Sequence, residues 1–214
     1  MKTKTTLTLL ILSLFLIFAT PSHAAQKKVL MMVSNGFYAP EYFHPRAEFD
    51  KAGFKVTVAS QYGGQVRPDR RQWKSHSDVT ADKKFSEIDP ANYDAIVFAG
   101  GNSAWEDFFP NQDVHKLLTH FVKSDKKIAA LLCSSTGLLG IANNLDGDGT
   151  PFAKGRHVTG YKRVKGILTK MGEVNYDGGV EGKPYVVVDK NLVTGRDPSS
   201  SQLFGETITK LLKK

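Results

Sequence analysis

The chain contains a single cysteine, Cys133, whose position is typical of a catalytic nucleophile. It follows the apolar run 127–132 and precedes the small residues of 134–137. A buried strand that ends at a nucleophile and passes at once into a helix makes a sharp turn, which lifts the side chain out of the sheet. N–H groups at a helix start stabilise a thiolate, the reactive form of cysteine. We therefore expect an acidic, exposed thiol.

The alternative for Cys133 is a buried, inert side chain at the end of a core strand, because free cysteine is often buried. A single cysteine cannot form a disulfide within its own chain. In an oxidising compartment it must therefore be sheltered or kept for its reactivity.

Residues 1–24 predict a signal peptide that is cleaved. Lys2 and Lys4 form a basic start, and Leu7–Phe18 is an apolar run followed by small residues suited to cleavage. The run is shorter than the roughly 20 apolar residues that a membrane-spanning helix needs. We expect a mature single domain, residues 25–214, that is periplasmic or secreted and has no stable membrane anchor.

Charge does not indicate a nucleic-acid partner. The chain has 29 Lys and Arg residues against 21 Asp and Glu residues, and its net charge of +8 falls to about +6 without the leader. The basic residues are scattered. Their densest cluster, 67–74, holds one aromatic residue, Trp73, so we interpret it as a solvated loop.

Metal and cofactor sites are not expected either. His115 and His120 lie five residues apart on one predicted helix and point in different directions. Residues 144–149 resemble the first half of a calcium loop, but Gly155 occupies the twelfth position, where a bidentate glutamate is needed.

Strands alternate with helices along the mature chain. The predicted strands are 28–33, 55–59, a short strand or hairpin near 79, 95–98, 127–132, one near 158, 185–189 and 192–194. The predicted helices are 40–52, 110–124, 134–142, 163–171 and 199–212. This alternation predicts an α/β fold with a mostly parallel central sheet covered on both faces. Gly36, Gly101 and Cys133 follow the carboxyl ends of strands and should converge on one ligand-binding edge.

Five segments in this order resemble the DJ-1/PfpI (ThiJ) superfamily. They are 28–33, Glu41, the run 95–101, the run 129–133 and the run 189–196. The resemblance covers essentially the whole mature chain. It implies a flavodoxin-like three-layer sandwich with a nucleophile elbow, related to class I glutamine amidotransferase domains and usually a homodimer.

The resemblance also implies a set of site residues. Cys133 matches the elbow cysteine of the family, and Glu41 matches its acidic partner, whose protonated carboxyl donates to sulfur. Gly101 and the N–H of Ser134 match an oxyanion pocket, with Tyr161 beside them. Considered without the family, Glu41 would be a surface residue favoured by the dipole at a helix start.

The chain departs from the family at two positions. Protease-like members carry a histidine after the cysteine, where this chain has Ser134, and others carry a histidine at the position of Tyr161. Proton transfers would therefore fall to Glu41, Tyr161 or water, and proteolysis is not expected.

Three functions are compatible with these residues. The leading hypothesis is a glyoxalase- or deglycase-like enzyme without a cofactor, whose partner is a small reactive carbonyl compound such as an aldehyde. The others are an oxidative-stress sensor without turnover, in which Cys133 becomes a sulfinic acid held by Glu41, and a chaperone-like protein.

Overall fold

The computed structural model describes residues 25–142 and 149–214. The predicted signal peptide, and residues 144–148 of the segment that resembles a calcium loop, lie outside the described residues. The strands are β1 Lys28–Met32, β2 Lys55–Ser60, β3 Gly64–Val66, β4 Val79–Ala81, β5 Lys83–Lys84, β6 Ala95–Phe98, β7 Ile128–Leu132, β8 His157–Val158, β9 Asn175–Tyr176, β10 Val186–Asp189 and β11 Leu192–Gly195. The helices are α1 Ala39–Lys51, α2 Ala104–Asp107, α3 Gln112–Val122, α4 Leu138–Ile141, α5 Lys165–Lys170 and α6 Ser201–Leu212.

A seven-stranded sheet in the order β10-β11-β7-β6-β1-β2-β5 forms the centre of the molecule. Its neighbours are parallel except for the β10–β11 hairpin. The pairs β3–β4 and β8–β9 form two small separate sheets. The prediction of an α/β fold with a mostly parallel sheet is confirmed.

Alternate side chains of β1 point to opposite faces of the central sheet and pack into two different apolar clusters. Leu30 and Met32 pack into the apolar cluster that includes the buried face of α3, whereas Val29 and Met31 pack into the cluster that includes α6. Parallel strands buried on both faces read as continuous apolar runs, which is why the sequence marks them clearly. The result is the three-layer sandwich.

The strands β7, β6 and β1 are neighbours, so the loops after their carboxyl ends meet at one edge of the sheet. A Cβ atom added to Gly101, after β6, would lie 2.8 Å from the Tyr38 N atom and 3.2 Å from the Gly36 O atom, in the loop after β1. Gly101 has φ +122, a conformation that favours glycine. This close approach brings the loop after β6 against the loop that leads from β1 into α1, the helix that carries Glu41.

The segment after β7 differs from the single helix predicted over 134–142. The chain forms a 3₁₀ helix over Cys133–Gly137 and then the short α4. The Ser135 hydroxyl donates to the Leu132 carbonyl at 2.8 Å, and the Thr136 hydroxyl donates to the Cys133 carbonyl at 2.7 Å. Such local side-chain bonds compete with the α-helical pattern, so the turn tightens.

No helix among residues 25–142 and 149–214 is both long and apolar enough to cross a lipid bilayer.

Candidate active site

Cys133 occupies the sharp turn that its sequence context predicts. Its φ is +60, one of three positive values among the described residues other than glycine. For a side chain with a Cβ atom this conformation costs roughly 1–3 kcal/mol and is concentrated at functional sites. The Ser135 and Thr136 hydroxyls that hold the carbonyls of Leu132 and Cys133 brace this backbone.

Glu41 lies in the first turn of α1, and its side chain is fully buried rather than at the surface. Burial raises the pKa of its carboxyl from 4.5 to about 8; the Cys133 side chain and the Gly100 N–H lower it, and the charge of Asp197 raises it. Neither carboxyl oxygen reaches hydrogen-bond geometry with a described residue. At neutral pH Glu41 therefore keeps its proton, which it can donate to the Cys133 sulfur or to a ligand.

The expectation of an exposed thiol is wrong, because Cys133 is only 6% exposed. Burial raises the pKa of its thiol, against the expected direction, and an ionised Glu41 raises it further. The N–H and hydroxyl groups of Ser134 lower it. Because the charge of Glu41 acts on the thiol, the two groups titrate as a coupled pair.

Gly100 keeps the space between this pair open. A Cβ atom at this position would collide with the Glu41 Oε2 atom, and it would lie 2.6 Å from the Leu132 carbonyl oxygen and 2.8 Å from the Cys133 Cβ atom. The sequence marks the glycine pair 100–101 only as the end of a strand, so this role was missed. The signal was a second glycine directly after a buried strand.

Ser134 and Gly101 contact each other beside the cysteine. The Ser134 hydroxyl donates to the Gly101 carbonyl at 2.6 Å, and the Gly101 N–H donates to the same hydroxyl oxygen at 3.1 Å. The Gly101 N–H is thus engaged within the protein. Its role as an oxyanion donor stays a prediction, and it requires that Ser134 turn away.

A cavity of about 250 Å³ opens onto these groups. Its lining brings together the five site residues predicted from the sequence, which are Glu41, Gly101, Cys133, Ser134 and Tyr161. The Tyr161 N–H donates to the Cys133 carbonyl at 3.2 Å, which ties the Tyr161 segment to the elbow. The cavity is large enough for a small metabolite but small for a peptide.

The lining also contains residues that sequence reasoning did not assign to the site, namely Tyr38, Asp69, Arg71, Asn102, Arg163 and Pro198. Arg71 belongs to the basic cluster 67–74, interpreted above as a solvated loop. Its side chain is indeed 66% exposed, yet it also lines the cavity. Exposed arginines carry no periodic signal, so nothing in the sequence distinguished this one.

The described histidines do not take part in this site. His115 is buried on α3, and its Nε2 atom lies 2.7 Å from the Phe109 carbonyl oxygen, so it has a structural partner. Among the lining residues that the structure describes, none is a histidine. Within residues 25–142 and 149–214, no group of three or more His, Cys, Asp or Glu side chains is arranged to hold a metal ion.

Comparisons with known proteins show which family and fold the chain resembles. The model of the DJ-1/PfpI family matches residues 27–211. Protein/nucleic acid deglycase 2 of Escherichia coli is 31% identical over 87% of this chain and 98% of its own length. The putative cysteine protease YraA of Bacillus subtilis is 28% identical over 87% of this chain and 99% of its own length.

A solved structure, the ThiJ/PfpI domain protein of Brachyspira murdochii, superposes with a TM-score of 0.74 at 25% identity and covers 88% of this chain and 98% of its own. The family match, the elbow at Cys133 and the sheet order agree. The chain belongs to the DJ-1/PfpI family.

Proposed function

We propose that the protein is a cysteine-dependent enzyme that acts on small reactive carbonyl compounds, with Cys133 as nucleophile and Glu41 as acid and base. One observation carries this proposal. Glu41 is a fully buried carboxyl with a pKa of about 8 that forms no ion pair with a described residue and lies beside the elbow cysteine in a cavity. Burying a carboxyl without an ion-pair partner is costly, and such groups are concentrated at functional sites.

The pair can catalyse addition of the thiol to an aldehyde. The sulfur of Cys133 forms a bond to the carbonyl carbon, and the π electron pair of the C=O bond moves to oxygen. Glu41 donates its proton to that oxygen, and its other oxygen accepts the proton that the thiol releases. The product is a hemithioacetal, and Glu41 is neutral again, so protons and charges balance.

A 2-oxoaldehyde allows the reaction to continue. Glu41 then moves the proton of the former aldehyde carbon to the neighbouring carbonyl carbon, and the hydroxyl proton of the hemithioacetal passes to the neighbouring carbonyl oxygen. These two transfers convert the hemithioacetal to a thioester. Water hydrolyses the thioester to a 2-hydroxy acid and restores Cys133. Glu41 is favoured over Tyr161 for these transfers because its pKa of about 8 is close to neutral pH. The deglycase named among the relatives supports carbonyl chemistry at this site.

The same carboxyl favours one second candidate, an oxidative-stress sensor. A protonated Glu41 beside Cys133 can donate to an oxygen of a sulfinic acid formed at Cys133. In that function the cysteine is consumed and no product accumulates.

One experiment separates these candidates. Mature protein, residues 25–214, is incubated with methylglyoxal, and lactate formation is followed beside a Cys133→Ser variant. The enzyme proposal requires many equivalents of lactate from the wild type and none from the variant. A wild type that forms no lactate, but gains two oxygen atoms at Cys133 under mild peroxide, supports the sensor instead.

A further inference from the structure

The mouth of the cavity carries charged side chains that the chemistry above does not use. Asp69, Arg71 and Arg163 line the same cavity as Cys133. The first two lie at the 3₁₀ helix Arg70–Gln72, between β3 and β4, and Arg163 lies in the 3₁₀ helix Lys162–Val164, just before α5. Distant segments of the chain therefore bring two guanidinium groups to one small opening.

Backbone contacts fix the first of these segments against the loop after β1. The Gly36 N–H donates to the Arg67 carbonyl and the Asp69 N–H donates to the Phe37 carbonyl, both at 2.8 Å. The Ala39 N–H donates to the Gln72 side chain at 2.8 Å. Because α1 begins at Ala39, these bonds tie the charged segment to the helix that carries Glu41.

The second segment is equally anchored. Val164 is fully buried, and the Tyr161 N–H is bound to the Cys133 carbonyl at 3.2 Å. The backbone on both sides of Arg163 is thus held in place, while its side chain is exposed. The backbone that carries Arg163 is therefore anchored on both sides and is not part of a free loop.

The two arginines differ in how their charge is balanced. Arg71 forms a two-pronged pair with Asp69, with N–O distances of 2.8 and 3.0 Å. No ion pair joins Arg163 to any residue that the structure describes. Glu41 holds its proton at neutral pH and adds no negative charge to the cavity. The described charges around the cavity therefore leave the cation of Arg163 unbalanced.

We propose that this cavity selects small carbonyl compounds that carry a carboxylate, and that Arg163 binds that carboxylate. The inference rests on the proposed function, because it assumes that Cys133 attacks what the cavity admits. A guanidinium group matches a carboxylate with two parallel N–H donors. A cavity of about 250 Å³ leaves room for a carbonyl group at Cys133 and an acid group only a few bonds away. Asp69 acts against the binding of an anion, because its carboxylate neutralises the charge of Arg71.

Iodoacetate and iodoacetamide test this directly, because they are close in size but differ in charge. The rate of Cys133 alkylation by each reagent is measured at pH 7, and the rate with iodoacetate is divided by the rate with iodoacetamide. This ratio is then divided by the same ratio for the thiol of glutathione. We expect a normalised ratio above one for the wild type. An exposed cation contributes modestly, so Arg163→Gln should lower the ratio by roughly two- to fivefold. Added salt should lower the wild-type ratio as well.

Of two further variants, one should raise the ratio and the other should leave it unchanged. Asp69→Asn retains a side-chain acceptor for the Arg71 N–H but frees the Arg71 charge, so it should raise the ratio. Lys162→Gln removes the neighbouring charge, which does not line the cavity, and should leave the ratio unchanged. The rate with iodoacetamide alone monitors the integrity of the site, since a disturbed fold would change it in every variant.

The outcomes also separate this inference from the proposed function. If Arg163→Gln and Lys162→Gln give the same ratio as the wild type, the carboxylate site is refuted even when methylglyoxal is turned over. If the ratio responds as expected but no carbonyl compound is turned over, the anion site stands and the enzyme proposal fails. Glyoxylate should protect Cys133 from iodoacetamide at lower concentration than propanal does, and Arg163→Gln should abolish that difference.

Discussion

Glu41 and Cys133 come from the first turn of α1 and the end of β7, and each appears among the groups that shift the pKa of the other. The Cys133 side chain lowers the pKa of the buried carboxyl, whereas an ionised Glu41 raises the pKa of the thiol. Below about pH 8 the carboxyl is neutral, so its effect on sulfur changes from charge repulsion to proton donation.

Glu41→Gln should reduce the turnover of methylglyoxal and lower the pKa of the Cys133 thiol. An amide cannot relay a proton, so turnover should fall by roughly a hundredfold to ten-thousandfold. The thiol loses its proton at a pH where Glu41 is already ionised, and the amide removes that charge. Ultraviolet absorbance of the thiolate, followed through an alkaline titration, measures the second effect. A thiol pKa that is unchanged or higher in Glu41→Gln would mean that the charge of Glu41 does not act on Cys133.

Glu41 should also make the stability of the fold depend on pH. The unfolded carboxyl loses its proton near pH 4.5, whereas the folded one keeps it to about pH 8. The stabilisation from this tighter proton binding is complete below pH 4.5 and is lost as pH rises to about 8. A shift of this size corresponds to at most roughly 5 kcal/mol.

Glu41→Gln should therefore flatten this dependence and be more stable than the wild type at pH 8, with a smaller advantage at pH 5. Urea unfolding at both pH values measures the difference. The exposed glutamate Glu206 supplies the control, because Glu206→Gln should keep the slope of the wild type. If the free energy of unfolding changed with pH equally in Glu41→Gln and in the wild type, the Glu41 carboxyl would have to be exposed to water rather than buried.

The predicted signal peptide can be tested separately from the site. If residues 1–24 are a signal peptide, protein recovered from the producing cell should begin at Ala25 or Gln26, because small residues follow the apolar core only there. Mass spectrometry of the intact protein measures this. Exported protein that retains Met1 would contradict the prediction.

The sequence predicts the sheet well because buried parallel strands are continuous apolar runs, as in Ala95–Phe98 and Ile128–Leu132. The order of the strands brings Gly36, Gly101 and Cys133 to one edge, as expected from their positions after strand ends. Burial was harder to predict. A glutamate in a first helical turn has the pattern of a surface residue, and only the packing of α1 against the sheet desolvates Glu41.

The charged mouth was not predictable for a different reason. Arg71 and Arg163 reach the cavity because irregular segments are held by backbone bonds, such as the one from the Asp69 N–H to the Phe37 carbonyl. Such contacts depend on long-range geometry rather than on periodicity in the sequence. Resemblance to a family pointed to Glu41 and Cys133 as candidate catalytic residues, but it did not extend to these side chains.

Gly100→Ala tests whether the gap between Glu41 and Cys133 is needed. The added methyl group would collide with the Glu41 Oε2 atom and crowd the Cys133 Cβ atom, so one of the two side chains must move. We expect loss of methylglyoxal turnover together with roughly 1–3 kcal/mol lower stability, because an overpacked core cannot relax fully.

Gly166→Ala is the matched control for Gly100→Ala, since a Cβ atom at Gly166 on α5 meets no other atom within 4 Å. It should leave turnover unchanged and raise stability slightly, because alanine has less freedom than glycine in the unfolded chain. Turnover and urea unfolding are measured for both variants. Full turnover in Gly100→Ala would show that Glu41 and Cys133 need not lie face to face, and the proton relay between them would then be wrong.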